Sequence, residues 1–397
     1  MRVNLFYILL LFCLLSASCL KAQEHTLIDS TIPYKTLYEH LKKDEIKNFS
    51  SHINFQFCSS FQTSFIDKEL DEASFKLNRL RLEIEGDFYK CFSYHFRYSF
   101  NQYTNPNTTD DLSSHVELAC LQWKINDKLA LTAGKQFLAL GGYEYYVNAI
   151  KVRHFSDFVN HMPCYLSGAM LTVSPKKGQD IHLQVVNNRL EYEQPELSTL
   201  PDKAQLVKVP LMGNISWTGS FLDNSLQFYY GAAVSQIMKG KKKGYLAFGN
   251  VWERGPILAY LDCMYSREEL DTKGLITGIQ ERVDGKFKPI IHDVQYLSWI
   301  GNFDYRVHPN VNLYVKGAYE LGGVYKSGDI FQEGWHRKVW NAQFCAQYYP
   351  FRDLDLYFFL HLLYKKHNFS SQAKQIGGKN YSTQRIMLGI VYTIPVI

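Results

Sequence analysis

A run of about sixteen short stretches that alternate apolar and polar residues constrains this chain more than anything else in it. Two of the clearest are KLNRLRLEIEG (Lys76 to Gly86) and FSYHFRYSF (Phe92 to Phe100). Residues two apart share one face of a strand, so each stretch has an apolar and a polar side. In a membrane-spanning barrel the first meets lipid and the second meets water. The rhythm predicts an all-β fold: a transmembrane antiparallel β-barrel of about 16 strands over residues 52–397, with long outer loops and short periplasmic turns.

The expected strands are 52–60, 76–86, 91–101, 115–125, 128–137, 166–173, 180–188, 209–218, 224–235, 244–252, 256–266, 293–305, 310–321, 337–349, 353–366 and 384–396. Counted from the first hairpin, the odd connections, 61–75 and 236–243 among them, are all longer than the even ones. Turn-forming residues mark the short set, as in Asn126-Asp127 and Gly255-Pro256. An outer-membrane barrel sorts its connections in this way.

Arg2, the apolar run Leu5 to Leu15 and the small residues Ser16 to Ser18 read as a secretory signal over residues 1–22. Residues 23–51 are expected to be a periplasmic segment, with a short amphipathic helix over Leu37 to Ile46. Removing the leader leaves a net charge of +3, far below the basic excess of a nucleic-acid binder. The six remaining cysteines, Cys58, Cys91, Cys120, Cys164, Cys263 and Cys345, lie far apart with no C-x-x-C pair. That spacing favours free, buried or lipid-facing thiols over a zinc or redox site.

Energetics assigns the faces. An arginine facing lipid at the bilayer midplane costs about 2–4 kcal/mol, so Arg79, Arg81, Glu83 and Glu85 are expected to face the lumen and Leu80, Leu82 and Ile84 the lipid. The same argument turns Trp340, Phe344 and Tyr348 outward and Asn341, Gln343 and Gln347 inward. A wall that polar around about sixteen strands implies a water-filled channel.

LNRLRLEIEGDFYKCFSYHFRYSF, with its R-x-R hairpin, and TAGKQF (Thr132 to Phe137) resemble the phosphate-selective porin family, the O and P group, in its Bacteroidetes-type form. The resemblance covers most of the mature chain in layout. It implies a 16-stranded homotrimeric porin in a Gram-negative outer membrane, whose third loop folds into the lumen and narrows it. Here that loop is 138–165, carrying Glu144, Lys151, Arg153, His154, Asp157 and His161. LALGGYEYY replaces the proline-phenylalanine pair often found after the glycine segment, there is no dense arginine ladder, and Ile397 ends the chain where many such barrels carry an aromatic.

Fixed cations along a narrow pore favour anions. The candidates for that pathway are Arg79, Arg81, Arg97, Lys135, Lys151, Arg153, Lys316 and Arg385, with ion pairing to wall carboxylates as the alternative for Arg79 and Arg81. Lys239, Lys241, Lys242 and Lys243 form a cluster expected in the fifth outer loop, where simple solvation, ahead of funnelling anions or binding lipopolysaccharide phosphates, would explain them. The expected function is diffusion of small hydrophilic solutes, with anions such as phosphate preferred; no catalysis, cofactor or metal is implied. Two alternatives stay open. One is a docking or structural barrel. The other is a lipid-hydrolysing barrel enzyme built on His154 and Ser156, although no asparagine stands near to orient the histidine. Pairs such as Glu333 with His336, or His292 with Asp293, lack a third metal ligand.

Overall fold

A computed structural model of the chain describes residues 49–101, 115–188, 207–280 and 290–396. The expected leader, the periplasmic segment up to residue 48 and its helix lie outside the described residues.

Sixteen strands form a closed antiparallel barrel in which each pairs with its chain neighbours and β1 closes on β16. They are β1 Ser50–Ile66, β2 Glu69–Phe88, β3 Phe92–Ser99, β4 Val116–Asn126, β5 Leu129–Phe137, β6 Tyr165–Lys176, β7 Gln179–Asn187 and β8 Leu211–Phe221. The circuit continues with β9 Leu226–Met238, β10 Lys241–Arg254, β11 Ile257–Leu270, β12 His292–His308, β13 Val311–Val324, β14 Gly334–Tyr348, β15 Asp355–Phe369 and β16 Tyr381–Pro395. Each expected stretch coincides with one of them. Closure removes every sheet edge, the condition for backbone to cross hydrocarbon. No described helix is long and apolar enough to cross a membrane.

The faces follow the alternation. On β14, Trp340 is 56% exposed while Asn341 beside it is 3% exposed. Leu360, Leu362, Ile386 and Leu388 likewise stand on the outside, with His361 and Lys365 inside. One bulge re-phases the pattern on β2. Cys58 pairs with Arg79 and Ser59 with Leu77, which leaves Asn78 as an extra residue. Leu77 and Phe75 thereby stay on the outer face that Leu80 and Leu82 share.

Connection length departs from the expectation at two places. Residues 61–75 and 236–243 are not loops: β1 and β2 run on to a two-residue turn at Asp67-Lys68, and β9 and β10 to one at residues 239–240. Asp67 and Lys68 both take positive φ, 48° and 76°, the backbone that a two-residue hairpin needs. The four-lysine cluster is corrected accordingly. Lys241, Lys242 and Lys243 belong to β10, and Lys243 is buried with its ammonium 5.6 Å from the Tyr245 ring.

Candidate functional site: a docked loop and the cavity beside it

Connection 138–164 leaves β5 and turns into the barrel, where it forms two one-turn helices, α1 Tyr143–Tyr146 and α2 Asp157–Asn160. Its backbone lies directly against the wall because the wall is glycine there. A Cβ on Gly231 of β9 would overlap the Leu140 carbonyl, and one on Gly249 of β10 would overlap the Tyr143 nitrogen. The loop's polar groups then find wall partners: Gly142 N–H donates to Tyr229 O at 2.9 Å and Glu144 N–H to Asp262 Oδ2 at 2.7 Å. Phe158 N–H donates to Glu320 Oε1 at 3.1 Å, and Asn214 Nδ2 donates to Ala139 O at 2.7 Å.

Ion pairs fasten the far side. Asp157 lies 2.5 Å from Arg337 of β14 and 2.5 Å from Lys365 of β15. Glu144 accepts from the Ser156 hydroxyl at 2.6 Å and pairs with Lys316, whose ammonium also donates to His154 O at 2.7 Å. Arg385 donates to His154 Nδ1 at 3.0 Å. That geometry requires an unprotonated Nδ1. Burial, with Arg385, Lys365 and Lys316 nearby, pushes the His154 imidazole well below its usual range. Burial alone would raise the Asp157 carboxyl, but Arg337 and Lys365 outweigh it and hold the group ionised.

Part of the expected water-filled channel is packed dry. Inward-facing Tyr245, Val251, Tyr260, Met264, Tyr296 and Ile300 of β10 to β12 pack with Leu138, Leu140, Tyr145, Phe158, Val159 and Met162 of the loop into one buried cluster. Ile276 and Ile279 of the β11–β12 connection join it. Burying that much apolar surface, at about 25 cal/mol per Å2, fixes the loop more firmly than any single ion pair would.

On the other side, beside β1 to β7, a cavity of about 1010 Å3 remains. Its lining runs from His52, Glu85 and Asp87 near the short-turn end to Lys273 of the β11–β12 connection. The loop thus fills one side of the barrel, and the cavity lies on the other.

Of the eight candidate cations, Arg97 alone lines this cavity. It pairs with Glu83, and its Nη1 donates to Tyr165 OH at 3.4 Å. Arg81 pairs with Glu117 at 2.7 Å, the ion-pair alternative, while Arg79 stands opposite Cys58 on the inward face of β2. Lys135 is 1% exposed on β5 and lies outside the cavity lining. Lys151 is exposed on the loop. Arg153 is turned away: it donates to Cys58 Sγ and to Ile150 O, and stacks 4.6 Å from the Phe359 ring. Lys316 and Arg385 serve as loop anchors. Arg337 was not singled out by the sequence, although an inward cation facing an acidic third loop was the available signal.

The rival chemistries do not assemble. Ser156 bonds Glu144 and caps α2, while His154 turns to Arg385, so the two never meet. His336 bonds Ser370 and Gln332, and Asp293 bonds Tyr325. No cluster of three metal-ligating side chains occurs among the described residues. The six cysteines among the described residues are all free.

The comparisons agree with this architecture. The phosphate-selective porin O and P family matches residues 52–394. No curated protein matches the chain in sequence. Among solved structures, the outer membrane channel DcaP of Acinetobacter baumannii is similar at a TM-score of 0.59 and 12% identity, over 87% of this chain and 98% of that one. OmpT of Vibrio cholerae in its trimer form gives 0.52 and 10%, over 87% and 100%. OmpF of Salmonella typhi, in complex with daunomycin, gives 0.52 and 10%, over 87% and 98%. The closed sixteen-stranded barrel, its apolar outside and the sequence match over nearly all of that barrel make this chain a member of the phosphate-selective porin O and P family of the outer membrane.

Proposed function

We propose that the protein passes small hydrophilic solutes by passive diffusion through the cavity beside the docked loop. The observation that carries this reading is the extent of the cavity lining, from the short-turn end of β2 to Lys273 of an outer connection. The packed half supplies rigidity and the open half supplies the route. Purified protein in a planar bilayer tests this: steady ohmic steps support diffusion, and a tight bilayer contradicts it.

An anion preference is the finer reading, supported by the wall at mid-height. There Arg81 and Arg97 pair with Glu117 and Glu83, and Arg79 of β2 and Lys135 of β5 add two further positive charges. Low-dielectric surroundings extend the reach of such an excess. Towards the short-turn end Glu85 and Asp87 oppose it. The reversal potential across a salt gradient reads the balance: a chloride-side potential in the wild type that falls in Arg97→Gln supports this reading. Homotrimeric assembly, contact with lipopolysaccharide and a place among the Bacteroidetes-type members belong to the same proposal, on the strength of the family resemblance. Crosslinking of the detergent-solubilised protein tests the assembly.

A further inference from the structure

Gln136 of β5 is 2% exposed and lines the cavity, yet neither its amide nitrogen nor its amide oxygen has a hydrogen-bond partner. Its neighbours are unlike it. Gln184 Oε1 accepts from Ala139 N–H at 3.0 Å while its Nε2 donates to Phe137 O at 2.9 Å. Gln122 Nε2 donates to Thr132 Oγ1. Burying an amide without partners is unfavourable, and both amide atoms are closed to solvent as the side chain stands, so a turn of Gln136 towards the cavity it lines brings them to a partner there.

The chemistry of that partner follows from three features. An amide offers a donor and an acceptor together. A hydroxyl satisfies both, whereas an anion takes only the N–H and leaves the carbonyl oxygen facing negative charge. Next to Gln136, Phe137 anchors an aromatic cluster with ring centroids 4.8 Å from Tyr145, 5.2 Å from Tyr146 and 6.2 Å from Tyr165. All four residues line the cavity, where aromatic surface can meet the C–H groups of a solute. The two cations on the lining, Arg97 and Lys273, are already paired with Glu83 and Glu268.

We propose that Gln136 and the Phe137 aromatic cluster form a contact site for a neutral polyhydroxylated solute, a sugar or polyol. This rests on the diffusion pathway described above and names the class of solute that lingers in it. The amide oxygen accepts a hydroxyl proton, the amide nitrogen donates to a hydroxyl oxygen, and the apolar face of the solute rests on the rings. Specificity arises because a solute without hydroxyls leaves the amide unpaired.

Isothermal titration of the folded, detergent-purified protein with maltose, and separately with inorganic phosphate, tests the site without relying on conductance. Saturable maltose binding weakened at least about tenfold in both Gln136→Leu and Gln136→Met, with phosphate binding unmoved, supports it. No maltose binding in the wild type, equal binding in the variants, or a loss confined to phosphate overturns it. Maltose binding without bilayer conductance would keep the site and remove the pathway, so the two readings fail separately.

Discussion

Asp157, the first residue of a one-turn helix inside the barrel, lies 2.5 Å from the Lys365 ammonium, 208 positions further along the chain. Arg337 reaches the other carboxylate oxygen. One side chain thus ties the third connection to two adjacent strands. Removing one partner of a buried ion pair costs about 3–5 kcal/mol, because the remaining charge stays desolvated. Asp157→Asn is therefore expected to loosen the loop while leaving the barrel closed. Single-channel recording should show larger and noisier openings, with an unchanged β-sheet circular dichroism signal.

Loop docking also depends on what the wall lacks. A side chain at Gly231 would meet the Leu140 carbonyl, and the crowding atom is backbone rather than a flexible tip. Gly231→Val should displace residues 138–142 and increase protease cleavage within the loop. Gly213, with open space around its Cβ position, should tolerate the same change with the cleavage rate unaltered.

Protonation offers a third handle. The His154 imidazole is held below its ordinary value of 6.5 by burial and by Arg385, Lys365 and Lys316, opposed by Asp157. A group depressed in the docked state takes up more protons when released, so docking is strongest above about pH 6.5 and weakens as pH falls below it. Asp157 adds a loss in the same direction, in a lower window beneath its ordinary value of 3.8. Current noise should accordingly rise between pH 7 and pH 5 in the wild type, and should stay flat over that range in His154→Gln.

The outside of the barrel makes the fourth prediction. Leu362 is 40% exposed near the middle of β15. Leu362→Arg places a charge in hydrocarbon at a cost of about 2–4 kcal/mol. Denaturant unfolding of the protein in lipid vesicles should show a destabilisation of that size, whereas Leu362→Phe should leave the midpoint within error.

Strand positions and faces were legible because lipid imposes a period-two code on every strand, as Leu80, Leu82 and Ile84 against Arg81 and Glu83 show. The bulge at Asn78 was not, since a one-residue slip looks like a weak stretch until the pairing partner is known. The packed half did leave a trace. Tyr245, Ala247 and Val251 alternate with Leu246, Phe248 and Trp252, so β10 is apolar on both faces. A barrel strand with two apolar faces requires something dry inside. The cation partners stayed hidden because Asp157 and Glu144 reach strands far away in sequence, and composition carries no distance. Lys316 and Arg385 therefore read as pore groups although they hold the loop.

The central claim is that solutes move along one side of the lumen and not the other, and site-directed thiol labelling during bilayer recording tests it most directly. In a background with the six mature cysteines changed to serine, Thr132→Cys places a thiol on the cavity wall and Ala318→Cys places one in the packed cluster. A charged methanethiosulfonate reagent should reduce the current stepwise through Thr132→Cys and leave Ala318→Cys unaffected. Block through Ala318→Cys with Thr132→Cys silent, or no conductance before labelling, would contradict the account.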